Sequence, residues 1–288
     1  MPRNAIDWYL HEYPQLTLPV ERGMSAERRY LDIVRYGVLP EGPPDNPFFC
    51  TDEDERQVLE SPVGPIQVLY LADRGDFERF VQVFSGRCEP IAVPPTMGAV
   101  TFFDVRNWRE VDEHRRRWER ERRPSWPMEL LRVLSGPTCF ADVIVLVSKG
   151  GYSALSAADA GYPEAEWLRV SRVLRTYHEA THVTCRKRWP SHRETIRDEV
   201  VADCVGLLAS TGGYDAGLAR RFLGVGEGGY VPGGRLENYV AERESLDSAV
   251  GRARVAVEAC ERVCAEMRDA GPFDILARIE DTRAGMIA

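Results

Sequence analysis

His178-Glu179-Ala180-Thr181-His182 sets two imidazoles four residues apart with a carboxylate beside the first. On a helix, residues i and i+4 share one face about 6 Å apart along the axis, so both rings can reach one ion. Glu179, offset by one residue, stands beside such an ion rather than on it, where a general base is needed. A catalytic zinc takes three protein ligands and keeps a fourth position open. The run Asp198-Glu199-Val200-Val201-Ala202-Asp203 offers carboxylates for the third. The chemistry of such a set is hydrolysis by metal-activated water.

Two helices must carry these residues. Pro163 opens a segment in which Trp167, Val170, Leu174 and Tyr177 recur at helical spacing up to the histidines. Pro190 breaks it, and Ser191-His192-Arg193-Glu194 reads as a capping box that starts the next helix. If the helices double back there, His182 faces Glu199 and His178 faces Asp203 about one centre between Pro190 and Ser191. Glu199 is therefore expected as third ligand, with Asp198 or Asp203 in its place if Glu199 proves dispensable. Asp203 is expected to accept a hydrogen bond from the ring of His178, fixing its tautomer. His192 lies too near the turn to join the ion and reads as a capping or surface residue.

The paired motif, His178 to His182 followed by Glu199-Val200-Val201-Ala202-Asp203, resembles that of gluzincin metallopeptidases: HExxH, then ExxSD or ExxAD on the next helix. The resemblance covers the helix pair only. It implies one Zn2+ ion held by His178, His182 and Glu199, Glu179 as the base that activates water, and Asp203 as support for His178. The spacer from His182 to Glu199 is shorter than in thermolysin-like enzymes, and Asp198 stands where those often have Asn. In this family an edge strand before the metal helix often receives extended substrate by backbone pairing. Ala141 to Ser148 is placed either for that role or as a core strand.

An oxyanion formed at the site needs a further donor. Tyr230 and Arg235, in the glycine-rich stretch from Gly224 to Gly234 and just after it, are the candidates, on a loop that either closes over the site or is ordinary surface.

Around this motif the sequence reads as α+β: a small sheet-containing N-terminal lobe, residues 1–150, packed on a mainly helical metal-binding lobe, residues 151–288, the two forming one catalytic unit. Strands are expected at Ile66–Leu71, Ala99–Val105 and Val143–Val147, and helices at Ser25–Tyr36, Asp76–Phe84, Val111–Arg123, Pro163–Arg186, Ser191–Ser210, Leu236–Asp269 and Phe273–Ile279. With 44% hydrophobic and 28% charged residues the chain has the composition of a globular protein. The net charge of -8 argues against nucleic acid as partner. The basic run Arg115 to Arg123, with acids interleaved, reads as a solvated helix face. Seven cysteines without framework spacing read as reduced thiols, and Cys260 and Cys264, one helical turn apart, as helix packing. No secretory signal or bilayer-spanning stretch is visible, so a cytoplasmic location away from membranes is expected. The function expected is zinc-dependent hydrolysis of a peptide or a small amide-containing substrate. The alternatives are other chemistry on a small molecule or biosynthetic intermediate, or an inert helical interaction protein.

Overall fold

The computed structural model describes residues 5–42, 45–136, 139–192, 194–242 and 244–287, with side chains to residue 282. The chain forms two compact units, residues 1–59 with 66–148, and residues 60–65 with 149–288. The fold is α+β.

The first unit holds α1 (Ala5–Glu12), α2 (Arg28–Tyr36), β1 (Glu55–Leu59), β2 (Ile66–Leu71), α3 (Arg74–Phe84), β3 (Ala99–Arg106), α4 (Trp108–Arg120), α5 (Trp126–Ser135) and β4 (Ala141–Ser148). Its four-stranded sheet has the order β1-β2-β4-β3. β4 runs parallel to β2 and antiparallel to β3, so both of its backbone edges are paired. Of the two roles open to Ala141–Ser148, this leaves the core strand and excludes the edge strand that receives substrate. Its unbroken run of apolar residues, buried from Ile144 onward, is the mark of an interior strand. An aromatic cluster of Tyr9, Tyr13, Phe80, Phe84 and Phe102 packs in this unit's core. On α4, Arg115 and Arg116 both pair with Asp112 (2.6 and 2.7 Å). The basic run is thus internally compensated where it begins.

The second unit holds α6 (Ala157–Ala160), α7 (Glu164–Arg188), α8 (Thr195–Thr211), α9 (Ala216–Leu223), the two-residue strands β5 (Val225–Gly226) and β6 (Gly229–Tyr230), α10 (Leu246–Glu266) and α11 (Pro272–Ile287). Val200, Val201, Ala202, Cys204, Val205 and Leu207 are all buried, so α8 is apolar on every side. Such a helix belongs at the centre of a bundle. Packing α7, α10 and α11 around it satisfies that demand.

Helix boundaries depart from the sequence reading in two places that matter. α8 begins at Thr195, not Ser191. The Glu194 carboxylate caps it by accepting from the Arg197 amide (2.9 Å), while Asp198 accepts from the Glu194 amide (3.1 Å). The reciprocal bonding of a capping box is therefore present, shifted by three residues and built on acids; Arg193 of the expected box lies outside the described residues. The expected helix Leu236–Asp269 is interrupted. A 3-10 turn, Arg235–Tyr239, precedes α10, which starts afresh where the Ser245 hydroxyl accepts from the Ser248 amide. Helices α1, α5 and α9 and strand β1 were not expected. Among the described residues, no helix is long and apolar enough to cross a membrane.

Candidate metal centre

α7 and α8 run antiparallel in one continuous register. His182 meets Glu199, His178 meets Asp203, and Leu174 meets Gly206. The last pair explains how close the helices come. A Cβ at residue 206 would fall 2.8 Å from the Leu174 carbonyl oxygen, a distance no side chain tolerates, so glycine is required at this crossing.

Three donor atoms converge at the other end of this interface. His178 Nε2 lies 3.4 Å from Glu199 Oε2, His182 Nε2 lies 3.4 Å from Glu199 Oε1, and the two imidazole nitrogens are 3.1 Å apart. All the donor atoms lie within 4.8 Å of one another. Ligands held about 2.0–2.1 Å from a zinc ion stand about 3.3 Å apart along the edges of its tetrahedron. The separations match that figure, and they are long for charge-assisted hydrogen bonds, which close to about 2.7–2.9 Å. Two imidazole nitrogens facing each other at 3.1 Å must share either a hydrogen or a cation. The donor set therefore fits a single divalent ion, and two imidazoles with a carboxylate suit zinc.

Beneath the ligands lies a buried network. Asp203 Oδ1 accepts from His178 Nδ1 (3.0 Å) and from the Tyr152 hydroxyl (2.5 Å), and Oδ2 accepts from Arg235 Nη2 (2.5 Å). Arg235 Nη1 donates to the Tyr152 hydroxyl (3.0 Å). Three donors on one fully buried carboxylate offset a desolvation cost of several kcal/mol. They also fix the hydrogen of His178 on Nδ1 and turn Nε2 toward the other ligands.

Tyr152 is aimed by α7. The Ser171 hydroxyl accepts from the Tyr152 amide (2.9 Å), and Arg175 donates to the carbonyls of Gly150 and Gly151 (both 2.6 Å). Gly151 is obligatory, since a Cβ there would lie 2.6 Å from the Leu155 carbonyl oxygen and 2.8 Å from the Trp167 indole nitrogen. The next residues, Ser153 and Ala154, sit at φ 55° and 57°, a left-handed backbone that costs energy and is held by this packing.

A family model described as "Family of unknown function (DUF7005)" matches residues 3–269. The chain belongs to the DUF7005 family. No curated protein and no solved structure matches it.

In this DUF7005 chain the residues singled out from sequence fall into separate groups. His178, His182 and Glu199 share one centre, and Asp203 lies behind His178. Glu179 is half-buried on the same helix. Asp198 is occupied at the start of α8. Arg235 is spent on Asp203 and Tyr152, with Nη1 3.9 Å from Glu199 Oε2, which places it behind the ligands. Tyr230 donates its hydroxyl to the Gly234 carbonyl within its own loop (2.7 Å). That loop is tied down: Gly224 and Gly234 approach so closely that a Cβ on Gly234 would lie 2.4 Å from the Gly224 Cα. It serves to deliver Arg235. His192 neither caps a helix nor lies free on the surface. Its Nδ1 pairs with the buried Glu280 of α11 (2.9 Å). Sequence reasoning missed Tyr152, and also the half-buried Tyr239, which feels the charges of Arg235, Glu199 and Asp203.

Without a metal, the site binds a proton tightly. Burial opposes charge on His178, but its hydrogen bonds to Asp203 and Glu199, with the charges of both, outweigh it and push the imidazole up to about 10. Burial likewise opposes charge on Glu199, yet hydrogen bonds to His178 and His182 hold its carboxyl well below the usual range. In the metal-free chain the raised His178 stabilises the fold fully below pH 6.5, and this contribution is lost as pH rises through about 10. The Glu199 contribution has the opposite sense, present above its unfolded pKa and lost in acid. A ligating imidazole must be neutral, so a metal ion entering at pH 7 would expel a proton. Titration calorimetry in buffers of different ionisation enthalpy should show about one proton released per zinc at pH 7, and apparent affinity falling about tenfold per pH unit as pH drops below about 10.

Replacing Glu199 with Ala removes the only carboxylate in the centre. Loss of even an outer partner costs about 10–100-fold in metal affinity, so this change should exceed about 100-fold. Competition against a chromogenic chelator measures it, and undiminished affinity would remove Glu199 from the ligand set.

Proposed function

We propose that the chain is a zinc-dependent hydrolase of peptide or amide bonds. The observation that carries this reading is the set of tetrahedral-edge separations among His178, His182 and Glu199, with Glu179 one residue along the same helix. When bound, zinc supplies a Lewis acid that polarises a carbonyl and acidifies water. The chain's own residues do the rest. His178, His182 and Glu199 would hold the ion. Asp203, backed by Tyr152 and Arg235, keeps His178 in the tautomer that ligates. Glu179 takes a proton from the attacking water and passes it to the leaving amine.

The ligand side chains are only 7%, 29% and 15% exposed for His178, His182 and Glu199. Such recession favours, as a second reading, a small amide-bearing molecule over a folded protein. The decisive experiment is elemental analysis of the purified chain followed by assay on an unstructured peptide library and a panel of small amides. Chelator-sensitive, zinc-restored cleavage of any of these supports the proposal. A stoichiometric zinc content with no cleavage of either class refutes hydrolysis, and cleavage of small amides alone selects the second reading.

A further inference from the structure

Three cysteines distant in sequence meet where α8 packs on α10. Cys204 and Cys260 are buried, while Cys264, one turn beyond Cys260, is half-buried. The sulfurs of Cys204 and Cys264 lie 3.6 Å apart, and the Cys260 thiol is near enough to influence Cys204. Cys204 directly follows Asp203, the carboxylate that supports His178. Three thiols gathered between α8 and α10 exceed what helix packing asks of α10, whose buried face is otherwise filled by Ala249, Val250, Ala253, Ala256 and Val257.

We propose that Cys264 and Cys204 form a disulfide on reaction with a hydroperoxide. The two positions divide the work. Cys264 is the thiol with access to solvent, and Cys204 is buried against it. The Cys204 hydrogen bond holds the Cys264 thiol below its usual range despite partial burial, whereas Cys204, influenced by both other thiols and buried, is raised well above it. Access to solvent makes Cys264 the thiol that meets the peroxide, and the buried Cys204 beside it the resolving partner. The Cys264 sulfur attacks the peroxide oxygen, breaking the O–O bond and releasing an alcohol or water, and becomes a sulfenic acid. The Cys204 sulfur then attacks the Cys264 sulfur, its proton leaving with the hydroxide as water. Two thiols lose two electrons and two hydrogens, and the peroxide is reduced. Side-chain rotation has only to bring the sulfurs from 3.6 Å to a bond of about 2.05 Å.

This inference is independent of whether the chain hydrolyses amides. The test treats the full chain with stoichiometric hydrogen peroxide near neutral pH, blocks remaining thiols with iodoacetamide, and maps peptides without reduction. A linked peptide joining Cys204 to Cys264 is expected, with Cys264 consumed on the order of tenfold faster than Cys185, another half-buried thiol. In the Cys204→Ser variant, Cys264 should accumulate as a sulfenic acid that dimedone traps. A linkage between other cysteines, an unlinked Cys264, or consumption of Cys264 no faster than Cys185 would overturn the proposal.

Discussion

The Glu179→Gln chain should retain full zinc occupancy and lose hydrolysis by about 10²–10⁴-fold, the usual contribution of a positioned general base. Helix geometry separates the two roles. His178 and His182 converge on Glu199, and Glu179, turned about 100° from His178 around the helix axis, cannot enter the same ligand set. Its carboxylate is thus expected to take a proton rather than to hold the ion. Glutamine keeps the size and the hydrogen-bonding reach but has no basic oxygen. Metal content and turnover should therefore separate cleanly: elemental analysis unchanged, kcat collapsed and KM little altered, because substrate binding does not need the lost proton acceptor. Parallel loss of zinc would mean that Glu179 ligates after all, and unaltered kcat would remove it from the chemistry.

That Glu179 can be assigned this way from its place in the chain reflects how strongly helical spacing constrains side chains. The same holds across the turn. The pairing of His182 with Glu199 and of His178 with Asp203 follows from one antiparallel register, and Gly206 against Leu174 extends it by another turn. The sequence carries less about residues that reach the site from loops. Tyr152 lies on a 3-10 turn between β4 and α6, and its direction depends on Ser171, Arg175 and the clearance at Gly151, none of which leaves a periodic trace. Tyr239 lies in the turn that interrupts the expected helix Leu236–Asp269. The start of α8 was misplaced because a serine three residues before a glutamate satisfies the usual pattern, whereas the chain spends Trp189 to Ser191 on the turn and caps with Glu194. Strand order is hidden for a different reason. A single sequence shows which residues alternate but not which strands pair, so the interior position of β4 was visible only in its lack of a polar face.

The network beneath the ligands yields the second large effect. Asp203→Asn should weaken zinc binding by about 10–100-fold and lower stability by about 3 kcal/mol. The carboxylate accepts on both oxygens, from His178 and Tyr152 on one and from Arg235 on the other. An amide offers one accepting end and one donating end. With its oxygen toward His178, its NH2 faces the Arg235 guanidinium; flipped, it faces the imidazole N–H and the tyrosine hydroxyl. Neither orientation satisfies the site, and Arg235, with a fifth of its side chain exposed, loses its counter-charge in a largely buried position. A compensating change separates the two consequences. Adding Arg235→Met to Asp203→Asn removes the unpaired charge, so denaturant unfolding should recover much of the lost stability while zinc affinity stays low, because His178 Nδ1 still lacks its anionic partner. Recovery of both together would mean that Asp203 acts on the metal centre only through the integrity of the fold. Unchanged zinc affinity in the single variant would mean that it does not act there at all.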